Sequence, residues 1–345
     1  MDESHTTQIQ DMPPELEAVA HAEKRVRSSI PVIQQLGVAL GILLLIFGST
    51  VAHDVWRFFT KGGASDAEAD VVVIETTPTN HSNHFDTIVT TATSVFVWDV
   101  REQRALYNKD ADKRLPLASV TKLMTALLAH ELLDAGEAVI IPPEAILQSG
   151  DSGLSSGEQF DLTSLTDLTL ITSSNDGAFA LASAAGDTLS DTPDAALTFV
   201  RAMNIRAEEI GLTQTRFSNP TGLDLSPNQA GAYGSARDMA FLMEYLLLHY
   251  PELLETTTKE TLYVPDADGA THLAHNTNDA VSKIPGLLAS KTGYTDLAGG
   301  NLVVAFNAGL NRPIIISVLG STREGRFDDV LTLVDRATKQ VLYTE

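Results

Sequence analysis

The sequence predicts an α/β or α+β fold, with a sheet assembled from the two ends of one domain and a helical insertion between them. Runs rich in β-branched and aromatic residues lie near residues 93–108 and again at 302–319, while stretches with apolar residues at helical spacing fill the middle. A hydrophobic content of 43% over 345 residues supplies a sizeable core and excludes global disorder.

Before that domain, one segment departs from a soluble pattern. Val32 to Ala52 is a run of 21 residues without a charge. A helix of that length spans about 31 Å, enough for a bilayer core. Lys24, Arg25 and Arg27 precede it, and the next basic residues are Arg57 and Lys61. The positive-inside bias predicts a cytoplasmic tail over 1–30, a transmembrane signal-anchor over 31–52 and an extracytoplasmic remainder, which places the protein in the cell membrane. The rival reading is a cleaved signal peptide, with Ser49, Thr50 and Ala52 as a weak cleavage site; a buried core helix is a third. Residues 53–85 read as a linker, small and acidic in KGGASDAEAD. His81 and His84 within it lack a patterned carboxylate or third histidine, so they read as solvated linker residues and not as a metal site.

The domain itself spans 86–345. TATSVFVWDV reads as a strand and RALYN as its hairpin partner. Ser119 to Leu133 follows Pro116 with helical spacing and a serine placed to cap it. Leu162 to Ala185 and Thr198 to Gly211 read as helices, the latter ended by a C-terminal glycine. Ser235 to His249 is amphipathic, with Pro251 beyond it. LVVAF (302–306) and PIIISVL (313–319) are strands separated by the turn NAGLNR, and Arg326 to Leu342 is a closing helix.

The composition excludes several classes of function. There are 45 acidic against 23 basic residues and a net charge of −22. A nucleic-acid binder working by bulk charge is thereby excluded, since phosphate binding needs clustered Lys and Arg. Residues 1–30 hold six of the acidic and three of the basic residues, so most of the charge lies beyond the apolar segment. The chain has no cysteine, which removes disulfides, thiolate metal sites and cysteine nucleophiles.

Three short motifs stand in order: Ser119-Val120-Thr121-Lys122, Ser173-Ser174-Asn175 and Lys291-Thr292-Gly293. A serine alcohol needs a base, and a lysine serves as one only when burial or a neighbouring cation keeps it neutral. Lys122, three residues from Ser119 on a helix, shares its face, and Lys291 is an available second cation. Ser173 and Asn175 sit at a break between two helical stretches, where they can pass a proton or hold a substrate amide; the bland alternative is a connecting turn with a capping Asn. A strand carrying Lys291 and Thr292 on an exposed edge suits a substrate carboxylate. Gly293 lets a substrate backbone approach closely, and the Tyr294 amide is a candidate oxyanion donor.

This set resembles the serine D-alanyl-D-alanine carboxypeptidases, the low-molecular-mass penicillin-binding proteins. The matching stretches are LPLASVTKLMTALLAHELL, TLITSSNDGAFALA, TRFSNPTGLDLSP with SARDMAFLM, and HNTNDAV followed by SKTGYTDLAGGNLVVAF. The resemblance implies an antiparallel sheet flanked by helices with an inserted helical subdomain, the β-lactamase/transpeptidase-like architecture. It implies Ser119 as acylated nucleophile, Lys122 as general base, and Ser173 and Asn175 as proton and substrate network. Lys291, Thr292, Gly293 and Tyr294 would bind substrate, with the amides of Ser119 and Tyr294 as oxyanion hole. The implied reaction removes the terminal D-alanine from peptidoglycan stem peptides; β-lactams would acylate the same serine, and neither a metal nor an organic cofactor is called for. One departure from the family pattern is Ser174, where Gly is frequent.

Four rivals use the same residues or nearby ones. A D,D-endopeptidase differs only in substrate. A class A β-lactamase needs a glutamate for its deacylating water, and the near miss, Glu209, reads as helix surface. A membrane-tethered β-lactam sensor would not turn over. Gly153 to Gly157 matches the G-x-S-x-G elbow of α/β-hydrolases but lacks a strand before it, so it reads as a surface loop. His272 and His275 lie near the third motif, the latter reading as a loop residue.

Overall fold

A computed structural model describes residues 84–150, 152–190 and 194–342. The cytoplasmic tail and signal-anchor predicted over 1–52, and the linker as far as residue 83, lie outside the described residues. Among the described residues no helix is long and apolar enough to cross a membrane. In chain order the strands are β1 (Ser94–Asp99), β2 (Arg104–Lys109), β3 (Leu115–Pro116), β4 (Ala138–Ile140), β5 (Gln159–Asp161), β6 (Arg216–Phe217), β7 (Ala232–Gly234), β8 (Thr261–Pro265), β9 (Thr271–His275), β10 (Leu287–Thr295), β11 (Gly299–Asn307) and β12 (Pro313–Ser321). The helices are α1 (Lys122–Leu132), α2 (Leu162–Thr172), α3 (Asn175–Asp187), α4 (Ala195–Ile210), α5 (Ala236–His249) and α6 (Gly325–Leu342).

Both ends of the domain do meet in one sheet. Its order is β10-β11-β12-β1-β2, antiparallel throughout. The central strands read as nearly continuous apolar runs because both faces of the sheet are covered. Val95, Val97, Leu302, Val304, Ile314, Ile316 and Val318 face one way, onto Phe327, Val330, Leu333 and Val334 of α6. The alternate positions Phe96, Val303, Ala305, Ile315 and Leu319 face the opposite core, shared with α1, α5 and the other helices. Fully burying each such side chain contributes about 1.5–3 kcal/mol.

Local chemistry sets the helix ends. Asp161 caps α2 by accepting from Ser164 N at 2.7 Å, Ser235 caps α5 by accepting from Asp238 N at 3.0 Å, and Gly211 ends α4 in the left-handed region at φ 89°. One expectation fails at Ser119. The first four residues, Ala118–Thr121, form a 3-10 turn, and no side chain caps α1. Ala118 takes φ 49° just before the serine, so the turn enters at an angle that leaves the Ser119 hydroxyl for Lys122 instead of the backbone.

A buried ion pair ties the sheet's far corner. Asp99, fully buried at the end of β1, accepts from Arg312 Nη2 at 2.9 Å. Asp99→Ala removes the near partner of the buried Arg312 guanidinium and leaves Glu102 Oε1, 3.9 Å away, as a neighbouring carboxylate, so it is expected to cost about 3 kcal/mol, the low end for breaking a buried pair, read as a lower urea midpoint with an unchanged slope.

Candidate active site

The fold brings all three motifs together. Lys122 is completely buried, and its Nζ lies 2.8 Å from Ser119 Oγ, 2.7 Å from Asn175 Oδ1 and 2.8 Å from the Thr221 carbonyl oxygen. Two of those three partners can only accept. A neutral amine therefore spends both its N–H groups on Asn175 and Thr221, and its lone pair faces the Ser119 hydroxyl, which then donates to it. Burial is the largest cause pulling Lys122 well below the ordinary lysine range; the charge of Lys291 adds to it and Asp176 opposes it.

Lys291 is equally enclosed. It donates to Ser173 Oγ at 2.8 Å and to the Thr292 carbonyl at 3.1 Å. Burial, and then the nearby Arg326 guanidinium, lower its pKa to about 7. β10 is the edge strand of the sheet, as expected, but that edge is not exposed: Lys291 and Thr292 are buried, because the Ala118–Thr121 turn and the Glu255–Thr258 turn pack on it. The Thr292 hydroxyl is paired with Thr277 Oγ1 at 2.5 Å. Tyr294 is partly exposed, with the Arg323 guanidinium 5.0 Å from its ring centroid.

The Ser-Ser-Asn break divides its tasks by position. Ser173 ends α2 in the left-handed region at φ 62°, an unfavourable place for a residue with a Cβ, and it aims its hydroxyl at Lys291. Ser174 caps α3, accepting from Gly177 N at 2.9 Å, so the middle residue does the capping and Asn175 does not. That frees Asn175 to bond Lys122 and, through Nδ2, the Ser149 carbonyl at 2.6 Å.

Gly293 also gives room to the nucleophile's own turn. A Cβ there would sit 2.8 Å from Leu117 O and 3.2 Å from Ser119 N, so the missing side chain lets the serine turn pack closely on β10. Gly293→Ala is expected to push that turn off β10 and lower the acylation rate about 10²-fold, the penalty of a misplaced nucleophile, measured as a second-order labelling rate with penicillin.

Sequence reasoning missed the groups that hold this arrangement. Asn219 Oδ1 accepts from Gly222 N at 2.7 Å and Thr221 N at 3.2 Å, shaping the turn that points the Thr221 carbonyl at Lys122. Gly222, at φ 80°, is required there, since a Cβ would overlap Ala118 O. The buried Asn301 donates to the carbonyls of Pro116 and Leu117 at 3.0 Å, and Arg326 Nη1 donates to Gly293 O at 2.8 Å. The stretch SNPTGLD was visible in the sequence as a matching segment, but its task depends on a contact 99 residues away. His275 lines a cavity of about 350 Å³ with Gly150, Ser152, Thr172, Ser173, Ser174, Asn175 and Leu273, so it borders the cleft as well as belonging to β9. Gly153 to Gly157 is loop leading into β5, and Glu209 lies on the α4 surface 3.0 Å from Arg206.

An antiparallel sheet with an inserted helical subdomain, carrying a serine and two buried lysines at the junction, defines the penicillin-binding, transpeptidase-like class of protein. Residues 79–323 match the model of the peptidase S11 family, D-alanyl-D-alanine carboxypeptidase. The chain belongs to that family. It is 34% identical over 243 residues to the D-alanyl-D-alanine carboxypeptidase DacF of Bacillus subtilis, covering 69% of this chain and 59% of that one. The match therefore spans about three fifths of that relative's length. A D-alanyl-D-alanine endopeptidase of Pseudomonas aeruginosa is 31% identical over 216 residues, 61% of this chain and 66% of the relative. Among solved structures, penicillin-binding protein D2 of Listeria monocytogenes in its ampicillin-bound form matches with TM-score 0.59 and 31% identity, over 72% of this chain and 98% of that one.

Proposed function

We propose that the protein is a membrane-anchored D-alanyl-D-alanine carboxypeptidase that removes the terminal D-alanine of peptidoglycan stem peptides through an acyl-enzyme on Ser119. The observation that carries this reading is the environment of Lys122: a buried amine with two carbonyl acceptors and a serine hydroxyl as its partners. The Ser119 hydroxyl proton passes to Lys122 Nζ as Oγ attacks the penultimate carbonyl carbon. The amides of Ser119 and Tyr294 hold the oxyanion. Lys291 and Thr292 bind the terminal carboxylate, and the proton held by Lys122 passes by way of Ser173 to the departing D-alanine nitrogen, which returns Lys122 to the free amine. Asn175 holds Lys122 and a substrate amide. Water then attacks the ester, with Lys122 again taking the proton. A β-lactam, whose amide is part of a ring, leaves no departing group and so remains attached. The uncharged run Val32–Ala52 supports an anchor over 31–52 with 1–30 in the cytoplasm and the catalytic domain outside.

The test is release of free D-alanine from a pentapeptide ending in D-Ala-D-Ala by the full-length protein in detergent. Turnover supports the reading; penicillin labelling without D-alanine release contradicts it and favours a sensor. The identity to the Pseudomonas endopeptidase supports a second substrate, the cross-linked peptide dimer. Comparing kcat/KM for pentapeptide and dimer separates the two.

A further inference from the structure

Three side chains from separate segments converge where the β8–β9 hairpin meets β5. Glu158 immediately precedes β5, Asp266 follows β8 in the hairpin turn, and His272 lies on β9. One potential ligand atom from each lies within 4.8 Å of the other two. His272 Nε2 is 2.7 Å from Glu158 Oε1, and the Phe160 ring, 5.3 Å from the imidazole, packs beside it. Each carboxylate has one oxygen already fixed by a backbone amide. Ser155 N donates to Glu158 Oε2 at 2.9 Å, and Ala270 N donates to Asp266 Oδ1 at 2.7 Å. The surrounding backbone is tied independently, since Ala267 N donates to Gln159 O at 2.7 Å. Among the described residues neither carboxylate forms an ion pair with Lys or Arg. All three side chains are half-buried, so the two carboxylates share a partly desolvated setting with one imidazole.

We propose that Glu158, Asp266 and His272 form a structural divalent-cation site, suited to zinc, that clasps the β8–β9 hairpin to β5. One nitrogen and two carboxylate oxygens are ligands zinc takes, at about 2.0–2.2 Å each, with water completing a tetrahedron. Tetrahedral geometry at that radius sets ligand–ligand separations near 3.3 Å. The three atoms, all within 4.8 Å of one another, would close toward that spacing around the ion, the 2.7 Å His272–Glu158 contact opening as the metal replaces its proton. The backbone amides on the outer carboxylate oxygens orient the ligands, the kind of support metal sites need. Binding would brace the hairpin whose Leu273 and His275 line the cavity beside Ser173 and Asn175. None of the three ligands belongs to the serine–lysine machinery, so the inference stands apart from the acyl-enzyme reading. Spacing along the sequence hides the site, because position 158 lies more than 100 residues from the other two.

The test is isothermal titration of zinc chloride into chelator-treated full-length protein, with thermal melts alongside. One saturable site per chain and a Tm that rises with zinc are expected, and His272→Gln and Asp266→Asn should each weaken binding at least tenfold. Cobalt(II) should give the intense visible bands of a tetrahedral site in the wild type and lose them in His272→Gln. A His81→Gln/His84→Gln variant controls for the linker histidines and should bind as the wild type does. Circular dichroism checks that each variant is folded. Absence of a saturable site, or equal binding by folded His272→Gln and Asp266→Asn, overturns the proposal and leaves an ordinary His272–Glu158 ion pair.

Discussion

Ser119→Ala is expected to lose D-alanine release by about 10⁴-fold or more, equivalent to about 5 kcal/mol of transition-state stabilisation, and to lose covalent penicillin labelling altogether. No neighbour substitutes for the missing oxygen, since Ser173 is held by Lys291 and Ser174 caps α3. The fold should be unaffected, because the hydroxyl caps no helix and, among the described residues, its hydrogen bond is with Lys122. Thermal melting that matches the wild type, combined with absent labelling, is the expected pair of results.

Lys122→Gln is the second large effect, and it differs in kind. The nucleophile remains, but nothing takes its proton, so the acylation rate constant should fall by about 10²–10⁴-fold, the range of general-base catalysis. Slow labelling should persist, in contrast to its disappearance in Ser119→Ala. Wild-type labelling should also depend on pH in a defined direction. Lys122 acts as the free amine, so the rate falls as pH drops and the amine protonates. Burial, and after it the Lys291 charge, hold the Lys122 pKa down, so Lys291→Gln should move this acid limb to higher pH. A limb that stays in place in Lys291→Gln would separate the two lysines electrostatically.

Much of this site was legible in the sequence, for local physical reasons. The i, i+3 spacing of Ser119 and Lys122 puts both on one face whether the turn is α or 3-10. The apolar runs LVVAF and PIIISVL announced the buried strands β11 and β12, and Ser235 and Gly211 marked helix ends that the backbone obeys. Other parts depend on contacts between distant segments. The turn at Ala118 packs closely on Gly222 and is tied by Asn301 through the Leu117 carbonyl, and neither leaves a mark near residue 118. The β8–β9 hairpin had a signal in TLYVP and THLAH flanking DADGA, but its strands are short and half exposed, so no apolar alternation announced it. The burial of Lys291 came from turns packing on an edge that the sequence alone leaves open.

The central claim is that Ser119, activated by Lys122, is the group that becomes acylated. Peptide mapping by mass spectrometry of the full-length protein after reaction with penicillin tests it most directly. Trypsin cuts after Arg114 and Lys122, so residues 115–122 are released as one peptide containing Ser119. The mass increment of one opened β-lactam is expected on that peptide, with fragmentation placing it on Ser119. An adduct on Ser173 or Ser174, or retention of labelling in Ser119→Ala, would contradict it.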